Sequence, residues 1–164
     1  MEDIKFRSDM TVELIDSMGG DSSVVRAARV SSGSVSVSSE KDEGLINYLM
    51  RDRHGSPFEH AVFTFRIEAP IFVFREFMRH RIASYNEESG RYKELDPVFY
   101  VPGSERKLIQ IGKPGAYTFE DGSRDQANQV HYSLINSAEA EYRRYRSMLN
   151  QGVAREVARM VLPL

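Results

Sequence analysis

The stretch Ile71-Phe72-Val73-Phe74-Arg75-Glu76-Phe77-Met78 runs straight into Arg79-His80-Arg81-Ile82-Ala83-Ser84-Tyr85-Asn86-Glu87-Glu88-Ser89-Gly90-Arg91-Tyr92. The first part follows Pro70, which suits the first turn of a helix, and is apolar on most of its surface. It predicts a central helix over 71–81. The second part gathers four potential cations (Arg79, His80, Arg81, Arg91), three compact hydrogen-bonding side chains (Ser84, Asn86, Ser89) and two carboxylates (Glu87, Glu88). Cations complement the macrodipole at a helix C-terminus, and that alone could account for Arg79 to Arg81. The residues that follow point instead to an anionic ligand, because a guanidinium makes two parallel charge-assisted bonds to a phosphate. Glu87 and Glu88 would repel a phosphate. They are expected to face ribose hydroxyls, base N–H groups or the arginines.

Outward from this stretch, Thr11 to Ile15 reads as a strand. Asp21-Ser22-Ser23 offers capping side chains for a helix to about Val30. Ser31 to Ser39 is a Ser-rich, mobile loop. Ser39-x-x-Asp42 is a capping-box pattern that opens a helix with Leu45, Ile46, Leu49 and Met50 on one face. His54-Gly55-Ser56-Pro57 breaks that helix. Residues 61–68 alternate as a half-buried strand, with Phe63, Phe65 and Ile67 on one side. Asp96 to Val101 is extended, and Gly112 to Asp125 reads as a loop. Gln126 to Asn150 is a long helix with Val130, Leu134, Ala138, Tyr142 and Tyr145 on its apolar face. Gly152 interrupts it, and Arg155 to Val161 forms a last helical segment. The pattern predicts an α+β fold: one domain over 1–164, with helices against a central, mostly antiparallel sheet.

The chain has 164 residues, 41% of them hydrophobic, enough for a sizeable core. Its longest apolar runs are too short to span a membrane, and the N-terminus lacks an apolar signal core. A soluble, cytoplasmic protein is expected. The net charge of −2 speaks against a general nucleic-acid binder. Positive charge is local, which favours a small anion. RNA stacking on Tyr85 or Tyr92 remains an alternative, and it would require steep salt dependence. With no cysteine, disulfides, thiolate metal sites and a cysteine nucleophile are ruled out. His54, Glu59 and His60 match no strong zinc spacing, so no metal is expected. Ser84 as a nucleophile would need an activating base. His80 is four residues away, but no group to orient it is apparent, so a hydrogen-bonding role is favoured. The Arg143-Arg144-x-Arg146 run reads as a solvated face balanced by Glu139 and Glu141.

The segment from Arg79 to Arg91 resembles the signature of flavin-dependent thymidylate synthases, Arg-His-Arg-x-x-Ser-x-Asn-x-x-Ser-x-Arg. Arg79, His80, Arg81, Ser84, Asn86, Ser89 and Arg91 meet every fixed position. Val25 to Ser31, Ser56 to His60 and Gly152 to Arg159 also resemble family segments, in the same order. The resemblance implies conversion of dUMP to dTMP, with methylenetetrahydrofolate as the one-carbon donor. FAD, reduced by NADPH, would carry the hydride. It implies a homotetramer with active sites built from more than one subunit. By position, the FAD-binding residues would be Ser56, Arg79, His80, Arg81, Asn86 and Glu87. The dUMP-binding residues would be Glu76, Arg79, Glu87, Glu88, Ser89, Gly90, Arg91 and Arg159. His54 would face the flavin or the folate. Glu76 stands where a relative carries Gln, and an ionised carboxylate cannot donate a hydrogen bond there. No catalytic residue is assigned. The resemblance also implies that family chains continue past the point matching Leu164, so a C-terminally incomplete domain is expected; with that part truly absent, flavin binding would be weak and turnover little or none. A non-catalytic nucleotide- or flavin-binding module is the alternative reading of such a chain.

Overall fold

The computed structural model describes residues 3–33 and 39–163. In chain order its elements are β1 (Lys5–Arg7), β2 (Thr11–Met18), α1 (Asp21–Val30), α2 (Ser39–Arg51), a 3-10 helix (Ser56–His60), β3 (Val62–Glu68) and α3 (Ile71–Phe77). Then follow β4 (Val98–Tyr100), β5 (Ile109–Lys113), β6 (Ala116–Glu120), α4 (Arg124–Asn150), α5 (Arg155–Ala158) and a second 3-10 helix (Arg159–Val161). The chain divides into two compact units: a small one, Thr11–Glu68, and a large one, Met1–Met10 with Ala69–Leu164.

In the small unit β2 pairs antiparallel with β3, from Thr11 opposite Glu68 to Met18 opposite Val62, with a bulge between Leu14 and Asp16. Helix α1 does not use the expected side-chain cap. Its N-cap is Gly20, whose carbonyl accepts the Ser23 and Val24 amides at 2.8 and 3.1 Å. The preceding Gly19 has φ +78, and a Cβ there would sit 2.3 Å from the His60 carbonyl oxygen, so only glycine fits this turn. Val24, Val25 and Leu49 are buried. Asp42 meets Arg29 at 2.6 Å; the capping box expected with Ser39 lies outside the described residues. The side chain of Ser39 and residues 34–38 of the expected Ser-rich loop lie outside the described residues. The apolar side of the β2–β3 ladder is not half-buried as expected. Val12, Leu14, Phe63 and Phe65 are each 50% exposed or more, because a two-stranded ladder has two faces and the described residues leave this one open.

In the large unit α3 stops at Phe77 rather than Arg81, and none of its residues is buried. The expected central helix is therefore a short one. The chain turns sharply after it, and the Arg79 and His80 amides bond back to the Glu76 and Phe77 carbonyls, both at 3.1 Å. Strands β1 and β4 pair in parallel, Lys5 opposite Val98. Pro97 and Pro102 bracket β4 and keep it short, since neither has an amide for a ladder. Residues 109–120, partly read as a loop, form an antiparallel hairpin. Its turn has Pro114 first and Gly115, at φ +84, second, the type II arrangement. Among the described residues the strands thus form three two-stranded sheets, two antiparallel and one parallel, in place of the single central sheet expected. The α+β class holds.

Helix α4 opens on a capping box. The Ser123 hydroxyl accepts the Gln126 amide at 3.2 Å, and Gln126 Oε1 accepts the Ser123 amide at 2.8 Å. Ser123→Ala is expected to cost about 1 kcal/mol, read as a lower denaturation midpoint. Ala138, Tyr142 and Tyr145 on α4 are buried as expected, whereas Leu134 stays exposed. Gly152, at φ +81, ends the helix with its amide on the Leu149 carbonyl at 2.9 Å. The chain then returns to set Ala158 and Leu162 against Tyr142 and Tyr145, with Leu95, Phe99 and Met148 around them. Arg143 pairs with Glu139 at 3.5 Å and Arg144 with Glu141, as expected, while Arg146 reaches Glu94. Among the described residues no helix is long and apolar enough to cross a membrane.

Candidate functional site

The arginine-rich stretch lies wholly in the large unit and has two halves. The first is the turn after α3. Arg79, His80 and Arg81 are exposed, and neither guanidinium has a hydrogen bond or carboxylate partner among the described residues. The His80 ring meets Phe77 edge-on at 5.7 Å. The Tyr85 hydroxyl donates to the Phe77 carbonyl at 3.1 Å and the His80 carbonyl at 3.0 Å, and its ring lies edge-on to Phe77. Ser84 and Asn86 are exposed, and their side chains have no hydrogen-bond partner among the described residues. Ser84 thus has no base in contact, in keeping with a hydrogen-bonding rather than a nucleophilic role. Glu76 is exposed on α3, with its side chain likewise unengaged among the described residues.

The second half is the turn over 88–93. The Ser89 carbonyl accepts the Tyr92 and Lys93 amides at 3.1 and 3.2 Å, and Ser89 Oγ accepts the Arg91 amide at 3.3 Å. Gly90 is buried, and a Cβ there would lie 2.9 Å from Leu95 Cδ1 and 3.3 Å from Arg159 Cδ. That contact brings the distant Arg159 to the turn. Arg91 pairs with Glu156 at 3.3 Å, and its guanidinium lies 5.9 Å from the centre of the Tyr92 ring. Arg159 is half-buried, and its guanidinium has no carboxylate partner among the described residues. Glu88 is held by Lys93 at 3.0 Å, which also takes Asp96 at 3.1 Å. Glu88 therefore faces a lysine, not the arginines considered from sequence. Glu87 is exposed and without such a partner among the described residues.

The Glu88 hydrogen bond first, then Asp96, raises the Lys93 ammonium above its ordinary value. A raised folded value means the contribution is fully present below the unfolded lysine pKa and is lost as pH climbs through the folded one. The turn is expected to keep its geometry from neutral pH into the mildly alkaline range and to loosen only above the ordinary lysine pKa. Amide shifts of Tyr92 and Lys93 followed against pH would check this; a transition near neutrality would contradict it.

In the small unit Ser56 is exposed at the start of the 3-10 helix. Nearby, the His54 ring stacks on Tyr48 at 5.6 Å, with the Arg51 guanidinium 5.4 Å from the same ring. Arg53 adopts φ +58, a left-handed conformation, so that the chain can turn toward His54. Tyr48 and His54 line a cleft of about 530 Å³ with Arg29, Ser31, Ser32 and Leu49. A groove of about 590 Å³ along α4 is lined by no residue of the signature. Among the described residues no three His, Cys, Asp or Glu side chains converge as a metal site.

Among the described residues the stretch thus offers the planar cations Arg79 and Arg81 without carboxylate partners, a turn packed closely on Leu95 and Arg159 at Gly90, and an unengaged acceptor in Glu87. Comparison with known proteins gives this chemistry its context. The family model described as Thymidylate synthase complementing protein matches residues 13–164. A flavin-dependent thymidylate synthase from Tropheryma whipplei is 60% identical over 164 residues, covering 97% of this chain and 68% of the relative. One from Streptomyces avermitilis is 58% identical, covering 99% of this chain and 70% of the relative. The crystal structure of the UMP/dUMP methylase PolB from Streptomyces cacaoi, bound with 5-Br dUMP, superposes with a TM-score of 0.88 at 51% identity, covering 98% of this chain and 70% of that one. The chain belongs to the flavin-dependent thymidylate synthase family.

Proposed function

We propose that this protein methylates dUMP to dTMP, taking the one-carbon unit from methylenetetrahydrofolate and using FAD, reduced by NADPH, as hydride carrier. The observation that carries the reading is the set of arginines without carboxylate partners among the described residues at Arg79, Arg81 and Arg159, with Gly90 against the last of them. A phosphate or pyrophosphate is the ligand such guanidiniums match. FAD fits this donor set. Arg79, His80 and Arg81 would hold it, with Asn86 and Glu87; Ser56 is a further proposed flavin contact. When bound and reduced, the flavin supplies the hydride that completes the methyl group.

The chain's own residues bind and orient. Arg79, Arg91 and Arg159 would neutralise the dUMP phosphate. Ser89 and Gly90 would let it approach the backbone of the turn. Glu87 would accept hydrogen bonds from donors on either ligand. Glu88, neutralised by Lys93, would sit beside the nucleotide without repelling its phosphate. Glu76 would accept from a nucleotide N–H. His54, stacked on Tyr48, would offer a ring face to the flavin or the folate. In this reading residues 1–164 are a thymidylate synthase-like domain that works in the cytoplasm as a homotetramer with shared active sites. The open apolar face at Val12, Leu14, Phe63 and Phe65 supports assembly, since exposed apolar patches mark association surfaces.

The test uses dUMP tritiated at ring carbon 5, the position that gains the methyl group. Release of tritium to water is expected only when FAD, NADPH and methylenetetrahydrofolate are all supplied. Nucleotide binding with no release under those conditions would leave a binding module instead.

A further inference from the structure

The first half of the site depends on a turn that carries two exposed guanidiniums but is not itself buried. Its last helical carbonyls have no partner within α3, as at any helix end. One side chain satisfies two carbonyls of this turn from eight residues down the chain. The Tyr85 hydroxyl donates to the Phe77 carbonyl at 3.1 Å and to the His80 carbonyl at 3.0 Å, a shared donation. Its ring stands edge-on to Phe77 at 5.7 Å and 80°, and Phe77 in turn meets His80 at 5.7 Å and 61°. Backbone bonds within the segment are few: Arg79 to Glu76, His80 to Phe77, and Ala83 to His80 at 3.3 Å. The hydroxyl therefore fixes the direction in which Arg79, His80 and Arg81 leave α3. It also fixes where Ser84 and Asn86, on either side of Tyr85, sit relative to them. Tyr85 occupies one of the variable positions of the signature.

We propose that Tyr85 is a positioning residue for the Arg79-His80-Arg81 cations, acting through its hydroxyl on the α3 turn. The identity of the ligand rests on the thymidylate synthase reading; the clamp itself does not. Tyr85→Phe keeps the ring and its contact with Phe77 and removes only the donor. Two quantities test it: the Kd for FAD, from the visible flavin bands, and deuterium exchange of the His80 and Ala83 amides. Both amides are expected to exchange about tenfold faster in the variant, while α4 amides keep their wild-type rates. The FAD Kd is expected to rise about tenfold, the loss of a single net hydrogen bond at the upper end of its range. The melting temperature should fall by no more than about 6 °C, the share of that one bond, which separates positioning from general destabilisation. Wild-type exchange at His80 and Ala83 would overturn the proposal. So would faster exchange with unchanged FAD affinity, because the hydroxyl would then order the turn without serving the ligand. Should the wild type itself take up no FAD, the synthase reading fails, and the exchange rates alone decide: acceleration supports the clamp, and none overturns it.

Discussion

Tyr145→Ala is expected to destabilise the large unit by about 3–5 kcal/mol, the cost of emptying a large aromatic site in a core. Tyr145 is fully buried at 0% exposure and sits at the centre of the cluster with Tyr142, Ala158 and Leu162. Its hydroxyl also accepts the Leu95 amide at 3.1 Å, a bond between positions fifty residues apart. Removing it leaves that amide, in a partly buried setting, without its acceptor. A loss of this size is a large share of the about 5–15 kcal/mol that holds a typical domain together. Urea denaturation followed by circular dichroism measures it. Tyr145→Phe, which keeps the ring, should lose only about 1 kcal/mol. The function should suffer with the fold, because Leu95 is the residue against which Gly90 rests.

Arg159→Ala is expected to weaken dUMP binding about 10- to 100-fold with little change in stability. Its stem lies against Gly90, and its guanidinium is unpaired among the described residues, so its charge is available to a ligand. A charge-assisted bond to phosphate is lost and no buried partner is orphaned. Arg159→Lys should recover only part of the affinity, since an ammonium cannot form the planar two-bond contact. Equilibrium dialysis with dUMP reads both variants. An unchanged Kd in Arg159→Ala would remove this arginine from the site.

Helical periodicity made α2 and α4 legible in the sequence to within a few residues, because Leu49 and Ala138 with Tyr142 and Tyr145 are buried. Helix α1 was read from Asp21-Ser22-Ser23, though its N-cap is Gly20 and uses no side chain. Arg79 to Arg81 were expected within the helix over 71–81, whereas they lie on the turn after Phe77. The β5–β6 hairpin went unread because Gly112, Pro114 and Gly115 look like loop residues. The alternation of Ile109 and Ile111 with Tyr117 and Phe119 around Pro-Gly was the available signal. Ser123-x-x-Gln126 was an equally available capping box. The length and burial of α3 were misjudged because an apolar run states a need for cover without stating where the helix ends. Hydroxyls on backbone carbonyls and amides decide that end and the turn beyond it, and nothing in the pattern announces Tyr85 on Phe77 or Tyr145 on Leu95. The Arg159 contact with Gly90 is equally silent to periodicity. Resemblance named both residues only as dUMP contacts. The pairing of Glu88 with Lys93, rather than with an arginine, needed coordinates.

The most direct measurement is the visible absorption spectrum of the purified protein after FAD is added and the excess removed, followed by titration with dUMP. The account predicts retained flavin bands that shift as dUMP binds, because the arginines of the two turns would hold both ligands in one site. Flavin bands indifferent to dUMP would contradict it.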